Sequence, residues 1–208
     1  MSWLPVASGI LDQWTELQGF FRMKASENDY KASTLAEIFE DPSNLLYMTF
    51  LRSILREVHS VSLAFEQTNA DVTKVYSDLR SLFFSISARV LKSEAIAETS
   101  RPGVLRSVEI QMLQKLLSDA CNLRPLERVN FGDAFQKVLR NLHISPEKLK
   151  IVQERCADYI LCLCNQLSNR LPSNIEVIEK IKTLAPRLAL ERTARPLFEQ
   201  LPLDLIGE

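Results

Sequence analysis

Glycine is scarce in this chain, with five among 208 residues. Tight β-hairpin turns and phosphate-cradling loops draw on glycine, so its scarcity counts against all-β folds and most nucleotide-binding α/β folds. Histidine is scarcer still. His59 and His143 are the two present, and neither belongs to a His-x-x-x-His or Cys-x-x-Cys arrangement. A Gly-x-Ser-x-Gly elbow, a Walker loop and a dinucleotide fingerprint are all missing. No apolar run approaches the roughly 18 residues that span a bilayer, and Met1 to Pro5 lacks the basic-then-apolar layout of a secretion signal. An excess of one charge is also lacking: 25 basic against 26 acidic residues leave a formal net charge of −1. No overall basic field therefore drives non-specific binding to DNA or membranes. These absences predict an intracellular, soluble chain with no metal, no cofactor and no membrane partner.

Four cysteines, Cys121, Cys156, Cys162 and Cys164, sit in apolar, helix-patterned stretches. They read as buried thiols of a reducing compartment. Cys162 and Cys164 lie two residues apart, which on a helix directs them about 200° from one another, so they cannot share a metal. Acidic residues are plentiful but suit solvated helix faces and first turns. No catalytic residue is predicted.

What is present is helical periodicity and a hydrophobic content of 46%, enough for a buried core. A first helix is expected from Pro5 to Met23, with Ile10, Trp14, Leu17 and Phe21 on one stripe. A loop at Asn28-Asp29 precedes a short helix, Ser33 to Glu40, capped by Ser33 with Leu35, Ile38 and Phe39 facing inward. Asp41-Pro42-Ser43-Asn44 is a helix-start cluster. It opens a long run, Leu45 to Phe65, whose stripe Leu51, Leu55, Val58, Ser62 and Phe65 is heptad-like. The polar break Gln67 to Asp71 leads to a second run, Val72 to Leu91, with Val72, Val75, Leu79, Leu82, Ile86 and Val90 aligned. The short connection predicts an antiparallel hairpin over residues 41–92.

From Ser93 to Gly103 the periodicity lapses, and Arg101-Pro102-Gly103 is a turn signal. A hinge near residues 93–104 would divide one continuous domain into helical halves, 1–95 and 96–208. Val108, Met112, Leu113, Leu116 and Leu117 mark a short helix, and residues 122–132 read as irregular. Phe135, Val138, Leu139 and Leu142 mark another helix. Ser145-Pro146-Glu147 then combines a capping serine, a first-turn proline and an acid at the positive helix end. The helix it opens carries Leu149, Val152, Cys156, Tyr159, Ile160, Leu163, Leu167 and Leu171. Ser173 to Glu176 fits a capping box for a last helix ending before Pro186. The fold predicted is all-α, a multi-helix bundle built around long antiparallel hairpins.

Lys180, Lys182, Arg187, Arg192 and Arg195 form the densest basic stretch, with Glu179 and Glu191 diluting it. It is a candidate phosphate-contacting surface, or a mixed-charge solvated face. Trp14, Phe21, Phe65 and Phe83 lie on apolar stripes and read as core.

Several segments together resemble the hAT-type transposases and the host proteins derived from them. Trp3-Leu4 and Asp12-Gln13-Trp14-x-x-Leu17 resemble the stretch after that family's Arg-Trp motif. The run Asp41-Pro42-Ser43-Asn44-Leu45-Leu46-Tyr47-Met48-x-Phe50-Leu51, with Val58 and Phe65-Glu66-Gln67-x-Asn69-Ala70-Asp71, resembles its helical hairpin. Arg155-Cys156-Ala157-x-Tyr159, Gln166-Leu167-x-x-Arg170-Leu171-Pro172 and Leu184-Ala185-Pro186 continue the match. The resemblance implies that the chain is the α-helical insertion of a ribonuclease-H-like core. It implies further that the metal-binding carboxylates lie outside the chain, so that no two-metal catalysis occurs here. Trp3 matches the tryptophan that stacks on a flipped base near the transposon end, although Ser2 stands where the family has arginine.

The function this implies is a catalytically inactive, transposase-derived helical domain acting in the nucleus as a protein-interaction module or scaffold. Its partner would be another protein, and an exposed apolar groove would be its mark. The alternative is residual binding of transposon-end or hairpin DNA through Trp3, Lys180, Lys182, Arg187, Arg192 and Arg195. An enzyme of another kind would need a pocket of converging ionisable groups.

Overall fold

Three- and four-residue periodicity becomes helix throughout the computed structural model, which describes residues 3–27, 29–66, 72–99 and 106–170. Among these the chain is all-α: nine α-helices, two 3₁₀ turns and no strand. Nor is any of these helices long and apolar enough to cross a membrane. The chain forms two compact units, each assembled from separate chain segments. Unit 1 is Met1–Ser60 with Arg124–Cys162, and unit 2 is Val61–Leu123 with Leu163–Glu208.

Unit 1 opens with α1 (Trp3–Asp12) and α2 (Trp14–Ala25) where one continuous helix was expected. Gln13, at φ −111° and ψ 20°, leaves helical geometry. The hydrogen bonds nevertheless bracket it, with Gln13 N–H donating to Gly9 and Leu17 N–H donating to Gln13. The interruption is a kink of one residue. The next helix, α3 (Tyr30–Glu40), starts three residues before Ser33 because Asp29 caps it, accepting from the N–H groups of Lys31 (2.9 Å) and Ala32 (3.3 Å). Ser33 donates instead to the Asp29 carbonyl oxygen, 3.0 Å away. The buried face is Ala32, Ala36 and Phe39, and Leu35 and Ile38, expected to face inward, are exposed. α2 and α3 pack through Phe39, whose ring centroid lies 4.7 Å from that of Trp14 and 5.5 Å from that of Phe21.

The helix-start cluster at Asp41 opens α4 (Pro42–Glu66). Pro42 occupies the first helical position, where a missing N–H costs nothing. The Asp41 carboxylate accepts from Ser43 N–H at 2.9 Å. The buried stripe is Leu46, Phe50 and Ile54, one register away from the expected Leu51 and Leu55, and Phe65 is 50% exposed rather than core. Both stripes are apolar at helical spacing, so periodicity alone could not choose between them.

The remainder of unit 1 comes from much later in the chain. A 3₁₀ turn (Leu126–Arg128) leads to Phe131 and to α8 (Asp133–Asn141), which starts after Gly132 at φ 94°. That left-handed φ is one glycine adopts without a Cβ penalty. α9 (Pro146–Arg170) follows the expected start signal, with Lys148 N–H donating to Ser145 Oγ at 3.3 Å. Phe50, Phe131 and Phe135 are fully buried together with Cys156 and Ile160.

Unit 2 contains α5 (Val72–Ser87), α6 (Ser93–Thr99) and α7 (Arg106–Ser118). α5 stops short of Leu91 because Val90 and Leu91 N–H groups both turn back to the Ser87 carbonyl oxygen. Leu91 then forms an isolated antiparallel bridge with Leu123, and Lys92 N–H donates to Asn122 O at 3.0 Å. α6 is helix where periodicity lapses. Leu82, Phe83, Ile86, Leu113, Cys164 and Leu167 are buried residues of this unit. The buried Ser87 hydroxyl lies 3.6 Å from the Cys164 sulfur, at hydrogen-bonding distance. The 67–71 connection, the Arg101-Pro102-Gly103 turn and everything after Arg170 lie outside the described residues.

Candidate functional site

A groove of about 340 Å³ opens in unit 1. From α1 it takes Trp3, Val6, Ala7 and Ile10, and from α4 it takes Tyr47, Met48, Leu51 and Leu55. The first set falls at steps of three, four and seven, one stripe of one helix face. In the second set, Met48, Leu51 and Leu55 repeat the pattern, and Tyr159 of α9 completes the lining. No lining residue is charged. The register difference in α4 explains the groove: with Leu46, Phe50 and Ile54 taken by the core, Leu51 and Leu55 are left to face it.

Trp3 is 73% exposed at the groove margin and Val6 46% exposed. A tryptophan this open has most of its apolar surface in water, and with Val6 it extends the apolar lining of the groove outward. Trp3 is the one sequence-predicted site residue among those described. Lys180, Lys182, Arg187, Arg192 and Arg195 lie outside the described residues.

Beside the groove, the Arg155 guanidinium lies 4.9 Å from the Tyr47 ring centroid, a cation–π arrangement. Tyr47 and Tyr159 both have phenol pKa values raised above the ordinary range. Burial is the chief cause in each, opposed at Tyr47 by Arg155. Both hydroxyls therefore stay protonated and available as donors. Sequence reading placed Tyr47, Tyr159 and Arg155 in the family resemblance but gave them no role. Their convergence depends on pairing residue 47 with residue 155, more than 100 positions along the chain, and no local pattern encodes that.

A second cleft of about 240 Å³ lies where the starts of α4 and α9 meet, lined by Asp41, Ser43, Asn44, Lys148, Ile151, Val152 and Arg155. Lys148 Nζ donates to Asp41 Oδ2 at 3.2 Å. The Asp41 carboxyl pKa is held below the ordinary value, chiefly by the Ser43 backbone N–H, against an opposing effect of burial and with smaller help from the Ser43 side chain and Lys148.

Of the four cysteines, Cys156 and Cys164 are buried, whereas Cys121 and Cys162 are exposed. The expectation of four buried thiols is thus corrected at two. Cys162 and its neighbour Cys164 differ as helix geometry requires, one outward and one inward. Cys121 sits in a 3₁₀ turn (Ala120–Asn122) and not on an apolar helix face. Among the described residues no group of three or more His, Cys, Asp or Glu side chains converges to hold a metal ion. No family model, no curated protein and no solved structure matches the chain.

Proposed function

We propose that these 208 residues act by binding and not by catalysis, as a transposase-derived helical domain whose partner is another protein. The partner element is an amphipathic helix, and its apolar face lies in the groove between α1 and α4. The observation that carries this reading is the pair of facing apolar stripes, uncharged throughout and flanked by an exposed Trp3. Two rows at helical spacing suit the i, i+3, i+4, i+7 anchors of a helix laid in a groove. The family resemblance supplies the transposase origin and the nucleus as the place of action.

Trp3 favours a second reading. An exposed indole in the groove that Tyr47 and Tyr159 also line, with Arg155 over the Tyr47 ring, offers a nucleobase stacking faces and a cation. Stacking on such a side chain contributes about 1–3 kcal/mol per base. DNA bound this way would lose affinity steeply as salt rises, whereas an apolar helix would not.

One titration separates the two. The chain has two tryptophans, and Trp14 is buried, so a Trp14→Phe variant makes emission report Trp3 alone. Synthetic amphipathic helices should shift that emission to the blue, saturably and with little salt dependence, and Leu51→Glu should abolish the effect. Quenching by single-stranded DNA that disappears with moderate salt, with no response to any peptide, would replace the first reading by the second. Silence toward both ligands removes both.

A further inference from the structure

Ser145 combines an exposed side chain with a sequence context that the helix cap alone does not require. Nine prolines occur in the chain, and Pro146 is the single one that follows a serine or threonine. A lysine stands three positions after the serine, giving Ser145-Pro146-Glu147-Lys148. All four residues are exposed, and Ser145 itself ends a non-helical segment, 142–145. The proline ring disfavours the α region for the residue before it, and Ser145 lies outside the helix. The Ser-Pro step is thus biased toward the extended form that a kinase cleft accepts, and only the first turn of α9 has to fray for the lysine to follow.

We propose that Ser145 is a phosphorylation site for a proline-directed serine/threonine kinase that reads a basic residue at the third following position. The Ser145 Oγ attacks the γ-phosphorus of a magnesium-bound nucleoside triphosphate. An O–P bond forms, the bond to the β-phosphate oxygen breaks, the hydroxyl proton passes to the kinase base, and the nucleoside diphosphate leaves. This proposal is independent of the groove and of what occupies it.

The fold has a receptor ready for the product. Lys148 N–H already points at Ser145 Oγ, 3.3 Å away. A phosphoryl group there carries about −1.5 to −2 charges and three acceptor oxygens at the positive end of a 25-residue helix. Lys148 Nζ, now 3.2 Å from Asp41 Oδ2, is a cation carried on that same first turn. The phosphate competes with Asp41 for it. Phosphorylation therefore exchanges the bridge that ties α9 to the start of α4 for a bridge within α9. The group released, Lys148, lines the cleft between the starts of α4 and α9, and the group modified lies three residues before it, so the switch is local and its sign is fixed by charge.

The test treats the full chain with a proline-directed kinase and magnesium ATP, alongside a peptide of residues 141–151. One phosphoryl group per folded chain is expected, mapped to Ser145 by fragmentation mass spectrometry and absent in Ser145→Ala and Ser145→Asp. The aspartate variant keeps a capping side chain, which separates loss of the hydroxyl from loss of the cap. Phosphorus NMR should then find the second ionisation of the phosphoserine below its ordinary value of about 6, returning toward it in Lys148→Gln. Labelling of the peptide but not of the chain, or labelling elsewhere that survives Ser145→Ala, overturns the site. Labelling at Ser145 with an unshifted ionisation overturns the capture by Lys148 and the helix end.

Discussion

Phe50 meets three aromatic neighbours: Tyr159 with its ring centroid at 6.0 Å, and Tyr47 and Phe131 each at 6.2 Å. It is fully buried, and the Phe131 and Tyr159 contacts are edge-to-face, the arrangement that ring quadrupoles favour. Truncation loses both burial and ring contacts, so Phe50→Ala should cost about 3–5 kcal/mol, read as a lower urea midpoint. Leu51→Ala, one residue on but facing the groove, should cost far less. The cysteines give a second residue-scale prediction. Burial pushes the Cys156 thiol up to about 12 and the Cys164 thiol up to about 11, from an ordinary 9.0. An aromatic disulfide reagent at neutral pH should count two reactive thiols in the native chain, Cys121 and Cys162, and four after denaturation. The same shifts fix a pH dependence. Above pH 9 the unfolded thiols lose protons that the folded ones keep, so the unfolded state binds fewer protons and stability falls as pH rises from there. The contribution is whole below pH 9 and lost through the range that ends near the folded values. Replacing both buried cysteines by alanine should flatten that part of the stability profile.

The start of α4 is an element-scale device in which one carboxylate performs two tasks. Asp41 caps the helix by accepting from Ser43 N–H, and it holds Lys148 of α9. Asp41→Ala should destabilise by about 1 kcal/mol, the usual cost of losing a cap. Asp41→Asn keeps the cap and removes the charge, which isolates the ionic part. Because the folded pKa is lowered from 3.8, the ionised carboxylate contributes stability above that value and loses it as pH falls through the folded pKa. Thermal unfolding of wild type and Asp41→Asn should therefore differ above pH 4 and converge in stronger acid. Signals of this local kind were legible in the sequence. The caps at Asp41 and Ser145 act within three residues, and both mark real helix starts. Register was less legible, because α4 is apolar on two adjacent stripes and only Phe131 and Tyr159, far along the chain, decide which stripe is core. The groove was foreseen as a class of feature and not as a place. Its lining becomes a surface when the neighbouring stripe is consumed by packing, a tertiary outcome that overrides periodicity. The early cap at Asp29 was hidden for the opposite reason: Ser33 also satisfies the cap pattern, and the more N-terminal carboxylate captured the free N–H groups.

At the scale of the molecule, the two units are interleaved in sequence. Unit 1 takes residues 1–60 and 124–162, and unit 2 takes residues 61–123 and 163–208. α4 and α9 each contribute residues to both units. A hinge read from the lapse of periodicity near 93–104 divides the chain instead into 1–95 and 96–208, and the two divisions differ in what a cut there would do. Residues 1–95 hold Phe50 but not Phe131, Phe135, Cys156 or Ile160, all fully buried in unit 1. They hold Phe83 and Leu91 but not Leu123, to which Leu91 is bridged. Each fragment therefore carries half of two cores and the whole of neither, with large apolar faces uncovered at about 25 cal/mol per Å². Expressed separately, 1–95 and 96–208 should show no cooperative thermal transition and should bind a dye for exposed apolar surface. Mixed, they should regain a sigmoidal melt if complementation restores both cores. The intact chain nicked between 95 and 96 should stay folded until denatured, since the cut falls within the seven-residue α6 and removes no residue from either core. Two fragments that each melt cooperatively on their own would establish the sequential halves as the folding units, and the interleaved description would then have no energetic meaning.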